Sequence, residues 1–178
     1  MKIIALRFLA PMLALLCVGS LPLAAQPNRP SPAATVTAKI DGANLTIAYS
    51  QPSMRGRKIW GGLVPFGEVW RTGANEATTI TLAKAIVLGG KDVPAGSYTL
   101  WTLPAADGSA KLIINSETGQ WGTNYDGKKD FARVDLKRTE LEKPVEQFVI
   151  AVDAAPGGGV LKLSWDKVQY SVAFTVKK

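Results

Sequence analysis

The sequence predicts an all-β fold: an antiparallel β-sandwich, jelly-roll-like, in a single domain behind a signal peptide. Three observations carry that prediction. Short runs alternate apolar and polar residues with period two, most plainly Tyr170, Val172, Phe174 and Val176, which is the pattern of a half-buried strand. Turn-forming clusters such as Asp41-Gly42, Gly89-Gly90 and Asp166-Lys167 punctuate those runs. Past the N-terminus, no stretch has the apolar spacing of an amphipathic helix. About nine or ten short strands joined by Gly, Pro and Asp turns suit a sandwich, with an eight-stranded barrel as the alternative. There is no internal repeat.

The first 25 residues have the three parts of a signal peptide. Lys2 and Arg7 supply a basic start, Phe8 to Leu21 is apolar with small residues and Pro11, and Ala24-Ala25 precedes Gln26 as a small-residue cleavage site. A spanning helix needs about 20 apolar residues, so a membrane anchor fits less well. Cys17 follows Leu16 where a lipidated cysteine follows a small residue, so it belongs to the removed segment. The expected domains are therefore 1–25 signal peptide, 26–33 Pro-rich linker and 34–178 β-sandwich. The expected location is periplasmic or secreted, with a chain that does not span the membrane.

The elements follow in order. Gln26-Pro-Asn-Arg-Pro-Ser-Pro32 reads as an extended, solvated tether. Val36, Ala38 and Ile40, then Leu45, Ile47 and Tyr49, alternate around Asp41-Gly42 as a β-hairpin. Residues 53–67 hold Gly and Pro but also Ile59, Trp60, Leu63, Val64 and Phe66, which predicts a long loop folded onto the sheet so that these are covered. Thr78, Ile80 and Leu82 start a strand that Ala85–Leu88 continues to the turn at residues 89–92. Tyr98–Leu103 is apolar enough to be a strand buried on both faces. Lys111–Asn115 pairs with it, and residues 117–129 form a second long loop. Val134 and Leu136 then mark a strand, residues 139–144 turn the chain, and Phe148, Ile150 and Val152 mark another. Pro156-Gly157-Gly158-Gly159 reads as a flexible connector. Leu161, Leu163 and Trp165 share one face of a strand that Asp166-Lys167 separates from the last one.

Composition removes whole classes of chemistry. The chain has no His, and its one Cys leaves with the signal peptide. That excludes disulfides, Cys–His or Ser–His nucleophilic catalysis and the commonest metal ligand. No cofactor, metal site or catalytic residue is assigned. The formal charge of +7 falls by two units when Lys2 and Arg7 are removed. The remaining cations are scattered, which favours anionic ligands mildly and gives no nucleic-acid patch.

Two loops carry the candidate ligand-binding residues. In Trp70-Arg71-Thr72-Gly73-Ala74-Asn75-Glu76, adjacent Trp70 and Arg71 point to opposite faces if extended. Arg71, Asn75 and Glu76 would fix a polar ligand, with Trp70 or Trp60 as a stacking surface, and Glu76 could pair with Arg57 or Arg71. The competing reading is that Trp70 is core and the polar groups lock the loop's backbone. Arg57, beside Arg55 and Lys58, offers donors for a carboxylate, phosphate or sulfate, or bonds the loop's own carbonyls. Trp121, Tyr125 and Asp126, with Asn124, resemble a carbohydrate contact set, or else pin an ordinary loop. Asp126, Gly127 and Asp130 lack the ligand run of a calcium loop.

One resemblance covers nearly the whole mature chain. Tyr49-Ser-Gln-Pro-Ser53, Gly56-Arg-Lys-Ile-Trp-Gly61, Leu63-Val-Pro65, Trp70-Arg-Thr-Gly-Ala-Asn-Glu-Ala-Thr78, Pro94-Ala-Gly-Ser-Tyr-Thr-Leu100 and Trp121-Gly122 resemble the bacterial secreted family of unknown function DUF 2911. Gln51 stands where that family's pattern has arginine, so an anion contact made through that arginine would be missing here. The resemblance implies secretion and a β domain, and no reaction. The sequence thus favours an exported, non-enzymatic module that binds a polar ligand or an envelope partner, the ligand being a carbohydrate or a small anion. A glycan hydrolase using Glu76 and Asp126 (Glu68 is the other loop carboxylate) and a purely structural envelope protein are the alternatives.

Overall fold

The computed structural model describes residues 29–177, and the expected signal peptide and its cleavage site lie outside them. Nine antiparallel strands form one sheet. β1 (Ala33–Ile40) and β2 (Ala43–Ser50) are the first hairpin. It closes on Asp41 and Gly42, both with positive φ (48° and 75°), the tight turn whose twist matches its strands. β3 (Thr78–Leu82), β4 (Ile86–Leu88), β5 (Lys91–Val93), β6 (Gly96–Pro104), β7 (Ala110–Asn115), β8 (Asp130–Ala155) and β9 (Gly158–Val176) complete the set. The spatial order is β1-β2-β3-β6-β7-β8-β9-β4-β5.

β8 makes two facing layers out of one sheet. Its first residues pair with β7, Leu136 opposite Ala110, and from Lys137 it pairs with β9. Glu140 then faces Val168, Val145 faces Asp166, and Val149 faces Ser164. β8 spends more residues than β9 over that span, so it bulges and bends. The expected turns at residues 139–144 and at Asp166-Lys167 are therefore corrected to bulges inside two long strands. Pro144, which has no N–H for the ladder, is accommodated in the bulge, and Asp166 (φ 53°) supplies the kink on β9. The composition that suits a turn suits a bulge equally. Beyond β2 the layers are stitched together, with Phe148 N bonding Pro52 O at 2.9 Å and Met54 N bonding Glu146 O at 2.8 Å.

Three local expectations also change. β4 does not extend β3 but crosses to the other layer, where Leu88 pairs with Phe174. Lys91 and Asp92 already belong to β5, so the turn before them is Gly89-Gly90 alone. Pro156-Gly157 is a tight turn, and Gly158 and Gly159 lie in β9. A Cβ on Gly158 would sit 2.1 Å from the Phe174 carbonyl oxygen, so that position requires glycine.

The main core lies between the layers, where Ile47, Leu100, Leu112, Phe148, Leu163 and Trp165 are buried. A second, smaller cluster covers the other face of the sheet: Ala77, Trp101 and Ile113, with Val69, Leu103 and Tyr125 packed on it. β6 is thus buried on both faces, Tyr98 and Leu100 on one and Trp101 on the other. Tyr125 of the second long loop helps to cover that second face, whereas Ile59 and Val64 of the first loop belong to the main core. Of the apolar residues in the first loop, Ile59 and Val64 are fully buried, but Leu63 and Phe66 stay 43% and 39% exposed. The expectation that all are covered fails for those two.

Candidate functional site

Trp70 sits where β3 has ended and the neighbouring edge of β6 is free. Its backbone exchanges both bonds with Thr102, each 2.8 Å. Opposite residues in a ladder share a face, so Trp70 turns into the main core with Thr102. There it stacks on Trp165 (5.6 Å, 20°) and meets Trp60 and Phe148 edge-on at 6.0 and 5.0 Å. Trp60 donates to the Trp165 carbonyl at 3.3 Å and packs against Tyr170 at 5.2 Å. Both indoles are mainly packing residues.

Arg71, one residue on, passes beneath the second loop. A Cβ on Gly122 would lie 2.2 Å from the Arg71 Cδ, so only glycine lets the two segments close. The Arg71 Nε is buried and has no hydrogen-bond partner among the described residues. No ion pair engages this guanidinium either. Burial draws its pKa below the ordinary arginine value, although a guanidinium stays charged at any physiological pH. Arg71 lines a cavity of about 250 Å³ with Arg57, Trp70, Asn75, Ser31 and Trp165. Four of the nine predicted residues therefore share one site, and among the described residues no carboxylate is in its wall.

Arg57 is only partly available. Its Nε and Nη2 bond the carbonyls of Met54 and Ser53 at 3.0 and 2.7 Å. Asn75 is a lock. It has φ 60°, a conformation asparagine tolerates better than most residues. Its Nδ2 donates to Ser31 O and Ser50 Oγ at 3.2 and 3.1 Å, and its carbonyl accepts from Gly122 N at 3.0 Å.

Glu76 pairs with neither Arg57 nor Arg71. It takes Arg29 Nη1 on both oxygens, at 2.7 and 2.8 Å, on the surface. The Arg29 hydrogen bond holds its carboxyl below the usual glutamate value. Arg29 belongs to the lead, whose end is docked: Pro30 O accepts from Arg55, Ser31 O from Asn75 and Pro32 O from Gln51 N. The solvated tether expected over Gln26–Pro32 is thus corrected for residues 29–32, since a Pro-rich string carries no sign of what it lies against.

The second loop divides differently from its sequence. Trp121 is 47% exposed and bridges Glu76 through the backbone. Tyr125 packs on Trp101 at 5.0 Å and donates to both oxygens of Asp130, which also accepts from Arg133. Burial, and then Asp130, push the Tyr125 hydroxyl up to about 12. Asp126 caps the 3-10 turn Gly127–Lys129 by accepting from Lys128 N at 2.9 Å. Glu76 borders a groove whose lining does not include Asp126, so the two have no common cavity for a hydrolytic pair. Among the described residues no group of three acidic side chains could hold a metal ion, and no helix is long and apolar enough to cross a membrane. Sequence reasoning missed Arg29, Ser31 and Trp165 at this site. Their separation in the chain left no local signal.

Compared with known proteins, residues 31–174 match the model of one family, DUF2911, described as a protein of unknown function. No curated protein and no solved structure matches the chain.

Proposed function

The chain belongs to the DUF2911 family, and from that premise we propose that it is an exported, non-enzymatic module that binds a small anionic ligand through Arg71. One observation carries the reading: a guanidinium whose Nε is buried without a partner belongs to a residue lining a cavity that also holds Arg57 and, among the described residues, no carboxylate. Leaving a buried charged donor without a partner costs its full desolvation penalty, more than a typical hydrogen bond returns. A carboxylate, phosphate or sulfate oxygen would remove that cost, because such oxygens accept charge-assisted bonds from arginine. The stacked Trp70–Trp165 pair gives the cavity an apolar side for the ligand's body. Export rests on the basic start and apolar run before Gln26, and the mass of the protein recovered from the envelope fraction tests it.

Thermal unfolding with acetate, benzoate, phosphate and sulfate tests the binding. A ligand of the folded state raises the midpoint by mass action. We expect a concentration-dependent rise with at least one of these anions that disappears in Arg71→Gln. The same variant without ligand should unfold no earlier than the parent, since it sheds an unpaired charge. An equal rise in parent and variant would sink the proposal.

A further inference from the structure

A separate cavity, of about 320 Å³, is walled by Trp60, Phe66, Asp107, Gly108, Arg138 and Tyr170. It shares no lining residue with the Arg71 cavity. Several of its parts pack closely on neighbouring backbone or are hydrogen-bonded within the chain. The Phe66 ring, 39% exposed, lies against the backbone of Gly61 (φ 74°), where a Cβ would be 2.5 Å from a ring carbon. The Arg138 stem lies across Gly108 (φ 87°), 3.3 Å from where a Cβ would stand. Both glycines have the left-handed backbone conformation that favours glycine, and each lies directly under one of these side chains. Asp107 is oriented by Ser109, which donates to Oδ1 from its N at 2.9 Å and its Oγ at 2.7 Å. Those bonds keep its carboxyl below the ordinary aspartate value.

The Tyr170 hydroxyl donates to Gly108 O at 3.2 Å and is pushed up chiefly by burial, while Arg138 and Asp107 act on it in opposite senses. Neither Arg138 nor Asp107 is in an ion pair among the described residues. The cavity therefore offers one cation, one carboxylate and an aromatic wall. A simple anion would face Asp107 and a simple cation would face Arg138, so neither is favoured. A neutral ring with an apolar face and adjacent hydroxyls suits all three features. Its C–H face lies on the aromatic rings, and vicinal hydroxyls meet the planar donor fork of arginine and the remaining Oδ2 of the carboxylate, whose Oδ1 already accepts from Ser109.

We propose that this cavity binds a saccharide, with Phe66 and Trp60 as the stacking surface and Arg138 and Asp107 bonding the hydroxyls of one neutral sugar ring. The cavity lies apart from the second loop, whose Tyr125 and Asp126 are engaged internally.

Titration of the purified protein with maltotetraose, cellotetraose and the β-1,4-linked N-acetylglucosamine tetramer tests this, read by tryptophan fluorescence and by NMR amide shifts. We expect a saturable change with at least one sugar, weakened about tenfold or more by Phe66→Ala and by Asp107→Asn. Arg138→Lys, which keeps the charge and loses the fork, should also weaken it. Arg71→Gln should leave it intact, which separates this site from the anion site. No saturable change up to about 10 mM of any sugar would overturn the proposal. So would amide shifts that map away from residues 106–108, or binding that survives Phe66→Ala and Asp107→Asn unchanged. Phe66 and Asp107 are at the surface, so both variants should keep the parent melting temperature.

Discussion

Arg71 and Asn75 lie four positions apart in the loop and have opposite roles. Arg71 brings a charge the fold does not satisfy, whereas Asn75 spends its side-chain donor and its backbone carbonyl on the fold itself. The φ of 60° at Asn75 gives a way to separate the two parts of its role. Asn75→Ala loses both Nδ2 bonds and leaves an alanine, which tolerates the left-handed region less well than asparagine, at a cost of about 2–3 kcal/mol. Asn75→Gly keeps the conformation and loses only the bonds, about 1 kcal/mol. Urea denaturation of the two variants measures the difference, and equal losses would mean that the backbone conformation contributes nothing.

Among the elements, the second loop is fastened by Tyr125. Its hydroxyl is held at about 12 by burial and by Asp130, above the value of about 10 expected for an unfolded chain. A raised pKa favours the neutral form in the folded state. Its stabilising contribution is complete below pH about 10 and is lost as pH rises towards about 12. Tyr125→Phe should be less stable than the parent by about 1–2 kcal/mol at neutral pH, with Asp130 short of a donor. That gap should shrink between pH 10 and 12 if chemical denaturation is followed across the window. A gap that stays constant would show that ionisation of the hydroxyl is not linked to folding. The lead behaves as a further element, tied by Arg29 and Ser31 to Glu76 and Asn75 of the segment that carries Arg71. The Arg29–Glu76 contact is exposed, so it adds little stability and weakens with salt.

For the whole molecule, the joint between the two layers is aromatic. Trp165 of β9 is fully buried, stacks on Trp70, packs on Phe148 and donates to Glu146 O at 3.2 Å. It touches the bent part of β8 and the loop that carries the Arg71 cavity. Trp165→Ala should cost about 3–5 kcal/mol, a large share of the stability of about 5–15 kcal/mol usual for a domain. Calorimetry should give one transition at a lower temperature, because both layers share one core. Two separated transitions would show that the layers unfold independently. The same variant opens the wall of the cavity, so its anion affinity should fall as well.

The sequence by itself determined the all-β class, the single domain, most of the strands and the family. Each of these rests on near-neighbour chemistry: two-residue alternation, Gly and Asp at turns, and motif strings that survive intact in the chain. It also brought Arg57, Trp70, Arg71 and Asn75 together, because three of them share one loop. Only the tertiary structure decided that residues 139–144 bend a strand without reversing it, since a bulge and a turn call for the same polar, Pro-containing composition. Only it could assign Glu76 to Arg29, free Arg71 of any carboxylate, and set Arg138 beside Asp107 and Phe66. Those are pairings between residues far apart in the chain, fixed by register and layer packing, and no local pattern encodes which distant side chain a loop will meet.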